Sequence, residues 1–162
     1  MAKVAILMGS KSDFDVVKPA VNVLKKFDVE TEVRVISAHR TPEEAHLFAA
    51  NARKNGVEVI ICAAGKAAHL GGVIAAFTTL PVIGLPVKTD MMGGLDSLLS
   101  IVQMPSGIPV ATVGVNGGEN AGILALQILS LKYPEIMDEL VRFKSDMEKK
   151  VEADDAALQN EI

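Results

Sequence analysis

The chain has no tryptophan, one tyrosine and five phenylalanines in 162 residues, so aromatics make up only 4% of it. Its core must therefore be built from Val, Ile, Leu, Ala and Met, and little is present to stack on a broad planar cofactor such as a flavin. A single cysteine, Cys62, excludes an intrachain disulfide and fits a reducing compartment. It lies in the apolar run VEVIICAA, where a thiol reads as a small buried side chain. Excess basic charge is also missing: 16 Lys and Arg face 20 Asp and Glu, for a net charge of −4. That argues against a general nucleic-acid binder, which needs a basic footprint, but it permits a small anionic ligand held by a local cluster. Apolar runs such as LPVIGLPV are short and broken by Pro and Gly, so none is a good membrane span, and the first residues carry no secretory pattern. The expectation is a cytoplasmic protein with no nucleic-acid or membrane partner.

Hydrophobic residues make up 49% of the chain, enough for one domain with a sizeable core, and their pattern alternates. KVAILMG (3–9) is a continuous apolar strand, and residues 13–27 place Val16, Val17, Ala20, Val21, Leu24 and Phe27 on one helical face. VETEVRVIS (29–37) predicts a second strand. A helix follows from Pro42 to about Asn55, with Thr41 and Glu44 spaced as a capping box and Gly56 as its stop. Further strands are predicted over 57–63, 81–87 and 109–115, with helical spacing in GLDSLLSIVQM and ENAGILALQILSLK. Strands alternating with helices imply right-handed crossovers and a parallel sheet covered on both faces. The expected fold is α/β, a doubly wound sheet of order 2-1-3-4-5 over residues 1–133. Residues 134–162 form a charged C-terminal helix with a thin apolar stripe at Leu140, Met147, Val151 and Leu158. That helix is either a surface helix of its own domain or an arm lying on another subunit.

Such sheets bind ligands beyond the carboxyl ends of their strands, near the switch point. Three unusual loops fall there: MGSKSD, SAHRTP and AGKAAHLGG. In the first, Gly9 allows a tight turn, Ser10 and Ser12 offer hydroxyls, and the following helix start offers free amides, which together suit a phosphate. Asp13 would repel a phosphate but can accept from sugar hydroxyls, and either Ser12 or Asp13 is also a candidate helix cap. In the second, Arg40 is a planar donor fork matched to phosphate, Ser37 adds a hydroxyl, and His39 is an imidazole able to carry a proton near neutral pH. The third is small enough to wrap a planar ligand closely and holds a second imidazole, His69, for which a structural role is the alternative. No metal-ligand spacing, Walker loop, dinucleotide fingerprint or Ser elbow is present.

In order along residues 3–131, MGSKSD, SAHRTP, AGKAAHL, LPVIGLPV, GLDSLLSIVQMPSGIPVATV and ENAGILALQIL make a combination that resembles the class I N-carboxyaminoimidazole ribonucleotide mutases of purine biosynthesis. The resemblance implies a flavodoxin-like fold and an isomerase that moves a carboxylate from the exocyclic nitrogen of an aminoimidazole ribonucleotide to ring carbon 4. It also implies that no cofactor or metal is used, and a homo-octamer. It assigns proton transfer to His39, and phosphate and ribose contacts to Ser10, Ser12, Asp13, Ser37 and Arg40. It also places Gly65, Lys66, Ala67, His69 and Leu70 around the base. Where the family loop is expected to read AGGAAHLPG, this chain has Lys66 and Gly71, so the role of Lys66 is open.

The chemistry expected is release of carbon dioxide and its recapture by carbon 4, with one imidazole giving a proton to nitrogen and later taking one from carbon. Ala63, Ala64, Ala67, Ala68 and Leu70 are candidate dry walls that keep the carbon dioxide in place. Two other readings stand beside this one. One is a class II carboxylase that adds carbon dioxide to the unmodified ribonucleotide. The other is a non-enzymatic, flavodoxin-like mononucleotide module, since fold alone does not specify function.

Overall fold

Three segments are buried along almost their whole length, and these become the interior strands: β1 (Lys3–Met8), β3 (Val59–Ala64) and β4 (Val82–Pro86). Continuous apolar strands are what a parallel sheet covered on both faces requires. The computed structural model, which describes residues 1–162, closes the sheet with β2 (Glu30–Val35) and β5 (Ala111–Thr112) at its edges. All pairings are parallel and the order is β2-β1-β3-β4-β5, as the alternation predicts.

Successive strand side chains enter opposite cores. Val4, Ile6, Val59 and Ile61 face a layer of α1 (Phe14–Lys26), α5 (Gly118–Ser130) and the start of α6 (Pro134–Gln159). Ala5, Leu7, Ile60 and Cys62 face α2 (Pro42–Ala52), α3 (Leu70–Phe77) and α4 (Leu95–Val102). Burial pushes the Cys62 thiol far above its ordinary pKa, so it is an inert core group. Close approach replaces bulk where aromatics are scarce. A Cβ on Gly84 would run into Ile101 and Val110, and one on Gly122 would run into Val23, so these glycines set how near α4, the segment entering β5, and α1 can lie.

Four local expectations are corrected. Thr41 does not cap α2 with its side chain. Its hydroxyl accepts from the Ser37 amide at 2.9 Å and donates to the Ser37 carbonyl at 3.1 Å, which closes the SAHRTP loop on itself. At the first loop the capping side chain is neither Ser12 nor Asp13 but Ser10, which accepts from the Ser12 amide at 3.3 Å in a short 3-10 turn over Lys11–Asp13. β5 shrinks to two residues: Pro109 has no amide to donate, although the Val113 amide still reaches the Gly84 carbonyl at 3.0 Å. Finally, Leu140 is not part of an outward stripe. It and Ile136 are buried in the α1–α5 core, and Phe143 meets Phe27 edge-on, whereas Met147, Val151 and Leu158 are 48%, 68% and 53% exposed.

Candidate active site

The carboxyl ends of β1, β2, β3 and β4 open into one cleft of about 620 Å³, a size that suits a small-molecule ligand. All eleven residues singled out in the three loops line it: Ser10, Ser12, Asp13, Ser37, His39, Arg40, Gly65, Lys66, Ala67, His69 and Leu70. Two of the expected dry walls do not. Ala63 faces the α1–α5 core because of strand alternation, and Ala68 is buried against the α2–α3 layer. Ala64, Ala67 and Leu70 remain in the lining, joined by Val87 from the end of β4.

The β1 and β2 loops are tied together before any ligand arrives. Arg40 donates from one terminal nitrogen to the Gly9 carbonyl at 2.8 Å, and its Nε and backbone amide both reach the Ser37 hydroxyl, at 3.4 and 3.2 Å. The Ser12 hydroxyl donates to that of Ser10 at 2.8 Å. These bonds hold a guanidinium and three hydroxyls beside the entry to α1, a preorganised anion cradle. Asp13 sits at its margin. Burial raises its carboxyl above the usual range, and bonds from Ser12 and the Ser10 backbone, with the charge of Arg40, offset only part of that rise.

Across the cleft His39 and His69 meet. The Nε2 of one lies 2.9 Å from the Nδ1 of the other, and the rings cross at 80°. One facing nitrogen must carry a hydrogen and the other must not, so each ring constrains the tautomer of its partner. Both rings are exposed to the cleft rather than buried, which removes the structural-core alternative for His69.

A family model described as AIR carboxylase matches residues 3–150. The chain belongs to the AIR carboxylase family. Among curated proteins it is 59% identical over 149 residues to the N5-carboxyaminoimidazole ribonucleotide mutase of Pyrococcus abyssi, covering 92% of this chain and 86% of that one. It is 51% identical over 157 residues to the mutase of the same name from Mycobacterium tuberculosis, covering 97% and 90%. Among solved structures it is similar to the crystal structure of Treponema denticola PurE, with a TM-score of 0.87, 31% identity, and coverage of 98% and 99%.

Within this AIR carboxylase domain, the fourth strand adds groups that the reading of three loops missed. Lys88 and Thr89 line the cleft just beyond β4. The Lys88 amide donates to Asn116 Oδ1 at 2.9 Å. The Thr89 hydroxyl donates to Asp96 at 2.5 Å, and that bond holds the Asp96 carboxyl below its ordinary range, helped by the Ser97 amide and the charge of Lys66. The motif DSLLSIVQMP is thus a buttress. Ser97 is fully buried and donates to the Val87 carbonyl at 2.6 Å, and the Ser100 hydroxyl donates to the Asp96 carbonyl at 2.6 Å while its oxygen packs 3.3 Å from the Lys66 carbonyl. The hydroxyl-rich spacing of Asp96, Ser97 and Ser100 was the available signal. Elsewhere no helix is long and apolar enough to cross a membrane, and no three His, Cys, Asp or Glu side chains converge as a metal site.

Proposed function

We propose that this chain is an N5-carboxyaminoimidazole ribonucleotide mutase acting in purine biosynthesis in the cytoplasm. The observation that carries the reading is the His39–His69 contact at 2.9 Å, in the same cleft as the Ser10, Ser12 and Arg40 cradle. The cradle binds the phosphate, and Asp13 accepts from ribose hydroxyls. The imidazole ring of the substrate then lies between the histidines and the Gly65–Ala67 backbone. His39 gives a proton to the exocyclic nitrogen as its bond to the carboxyl carbon breaks and carbon dioxide leaves. Carbon 4 then attacks the retained carbon dioxide, and His39 recovers the proton that carbon 4 sheds, so the enzyme ends as it began. His69 holds the His39 tautomer that makes both transfers possible. No step calls on a cofactor or a metal.

The deciding assay supplies each ribonucleotide separately. Conversion of the N5-carboxylated form at a rate independent of added bicarbonate is expected. Turnover of only the uncarboxylated ribonucleotide, rising with bicarbonate, would instead establish a carboxylase and overturn the mutase reading.

The working form in this proposal is a homo-octamer. Its support is apolar surface with nothing to cover it within one chain: Met91 and Met92 beyond β4, Leu99 and Val102 on α4, and Met147 and Val151 on α6 are all exposed. Met104 and Pro105 lie outside the cleft of their own chain; Met104 packs its tip against Gly72 of α3, and the exposed Pro105 beside it is the one free to meet a neighbour's cleft. Light scattering tests this on the full chain and on a truncation ending at Lys144, which keeps the buried Ile136 and Leu140. A fully active monomer would refute assembly as a condition for catalysis.

A further inference from the structure

Lys66 is the residue at which this chain departs from the glycine expected in its loop, and its backbone is unusual. Its φ is +57°, in the left-handed region, where a lysine gains nothing and typically costs about 1–2 kcal/mol relative to an ordinary conformation. Strain of this kind persists where the surroundings over-determine it, and it concentrates at functional sites. Here the Lys66 carbonyl is held by the Ala68 amide at 2.9 Å, and the Ser100 oxygen, whose hydrogen goes to the Asp96 carbonyl at 2.6 Å, packs against it at 3.3 Å.

The side chain is exposed, lines the cleft and forms neither an ion pair nor a hydrogen bond through its ammonium. Its charge is nevertheless felt at Asp96, which stands behind the cleft residue Thr89. The strand order decides which end of a ligand it meets. The phosphate cradle hangs from β1 and β2, while Lys66 hangs from β3 in the same loop as His69. With its phosphate in the cradle, a ribonucleotide reacts at the His39–His69 pair, and Lys66, three residues before His69 in the same loop, lines the cleft with that reacting end.

We propose that Lys66 is a specificity residue, the cation that pairs with the carboxyl group of the substrate and makes the site prefer carboxylated over uncarboxylated aminoimidazole ribonucleotide. This rests on the mutase reading and deepens it. The two ribonucleotides share phosphate and ribose and differ by one negative charge, so a cation at the base end discriminates between them and one in the cradle does not. The unfavourable backbone is retained because glycine, though relaxed there, brings no charge.

The test measures dissociation constants by calorimetry for the 4-carboxylated and the uncarboxylated aminoimidazole ribonucleotides with wild type, Lys66→Met, Lys66→Gly and Lys66→Arg. In Met and Gly the carboxylated ligand is expected to bind about tenfold more weakly, equivalent to about 1.4 kcal/mol, with the uncarboxylated ligand unchanged. Lys66→Arg restores most of the ratio. Lys66→Gly also melts at a higher temperature than Lys66→Met, because only glycine releases the backbone strain. An unchanged ratio in Lys66→Met, or equal weakening of both ligands, overturns the proposal and leaves the mutase standing. Wild type that binds neither ribonucleotide overturns the mutase reading, and this inference with it.

Discussion

Replacing His39 with Asn, His69 with Asn, and both together separates a proton carrier from the group that orients it. Loss of a general acid–base typically costs about 10²–10⁴-fold in rate, and His39→Asn is expected in that range. His69 acts through one side-chain hydrogen bond of 2.9 Å. Such a bond is worth about 0.5–1.5 kcal/mol net, and one factor of ten in rate is about 1.36 kcal/mol, so His69→Asn alone should cost about 2–13-fold in kcat. Without His39 there is no ring to orient, and the double variant should be no slower than His39→Asn. Both rings are exposed, so the melting temperature of each variant should stay near that of wild type. Steady-state kcat and KM on the carboxylated ribonucleotide, with thermal melts on the same preparations, give the full cycle. Near-normal turnover in His39→Asn would refute the assignment. Losses that simply multiply in the double variant would refute the claim that the two imidazoles act as one unit.

Arg40→Lys should weaken binding of a phosphate-bearing ligand by about 10-fold or more, because lysine cannot supply a planar fork. It should also lower the melting temperature slightly, since the Gly9 carbonyl loses its 2.8 Å donor; unchanged affinity by calorimetry would remove Arg40 from the phosphate site. Asp13→Asn should weaken ribonucleotide binding, read as a raised KM, yet raise stability at neutral pH, measured by urea unfolding. The folded-state pKa of Asp13 lies above its unfolded value, so its unfavourable contribution is present at neutral pH and vanishes as pH falls below the unfolded value. The stability gain in Asp13→Asn must therefore shrink toward acid pH, and a gain independent of pH would contradict the cause given. Gly84→Ala should destabilise the fold by about 1–3 kcal/mol through overpacking. Ile101 and Val110 stand where the new methyl would go, and a neutral result in chemical denaturation would show that α4 can move aside.

The strand order and the location of the site were legible because they follow from local patterns. KVAILM, VIICAA and VIGLP are apolar at nearly every position, which only a sheet covered on both faces accommodates, and short crossovers between parallel strands leave few topologies. The same topology sends the loops after β1, β2 and β3 to one edge, so Ser10, Arg40 and His69 could be grouped from their positions alone. Hydroxyl partners could not be read this way. Thr41 has the spacing of a capping box with Glu44, yet its hydroxyl faces Ser37, because a side chain takes whichever donor and acceptor the folded loop brings nearest.

Contacts between segments distant in sequence needed the tertiary structure. His39 and His69 are 30 residues apart, and nothing in either loop encodes that their nitrogens meet at 2.9 Å. Lys88 and Thr89 enter the cleft only because β4 lies beside β3. Leu140 divides the C-terminal helix between core and surface according to where α5 delivers its first turn, which helical spacing does not specify. The periodicities follow from the order of residues alone, and with them the layers, the strand order and the edge where the site lies. The mutual distances of side chains were decided in three dimensions, because hydrogen bonding and packing select among partners that only the assembled fold brings within reach.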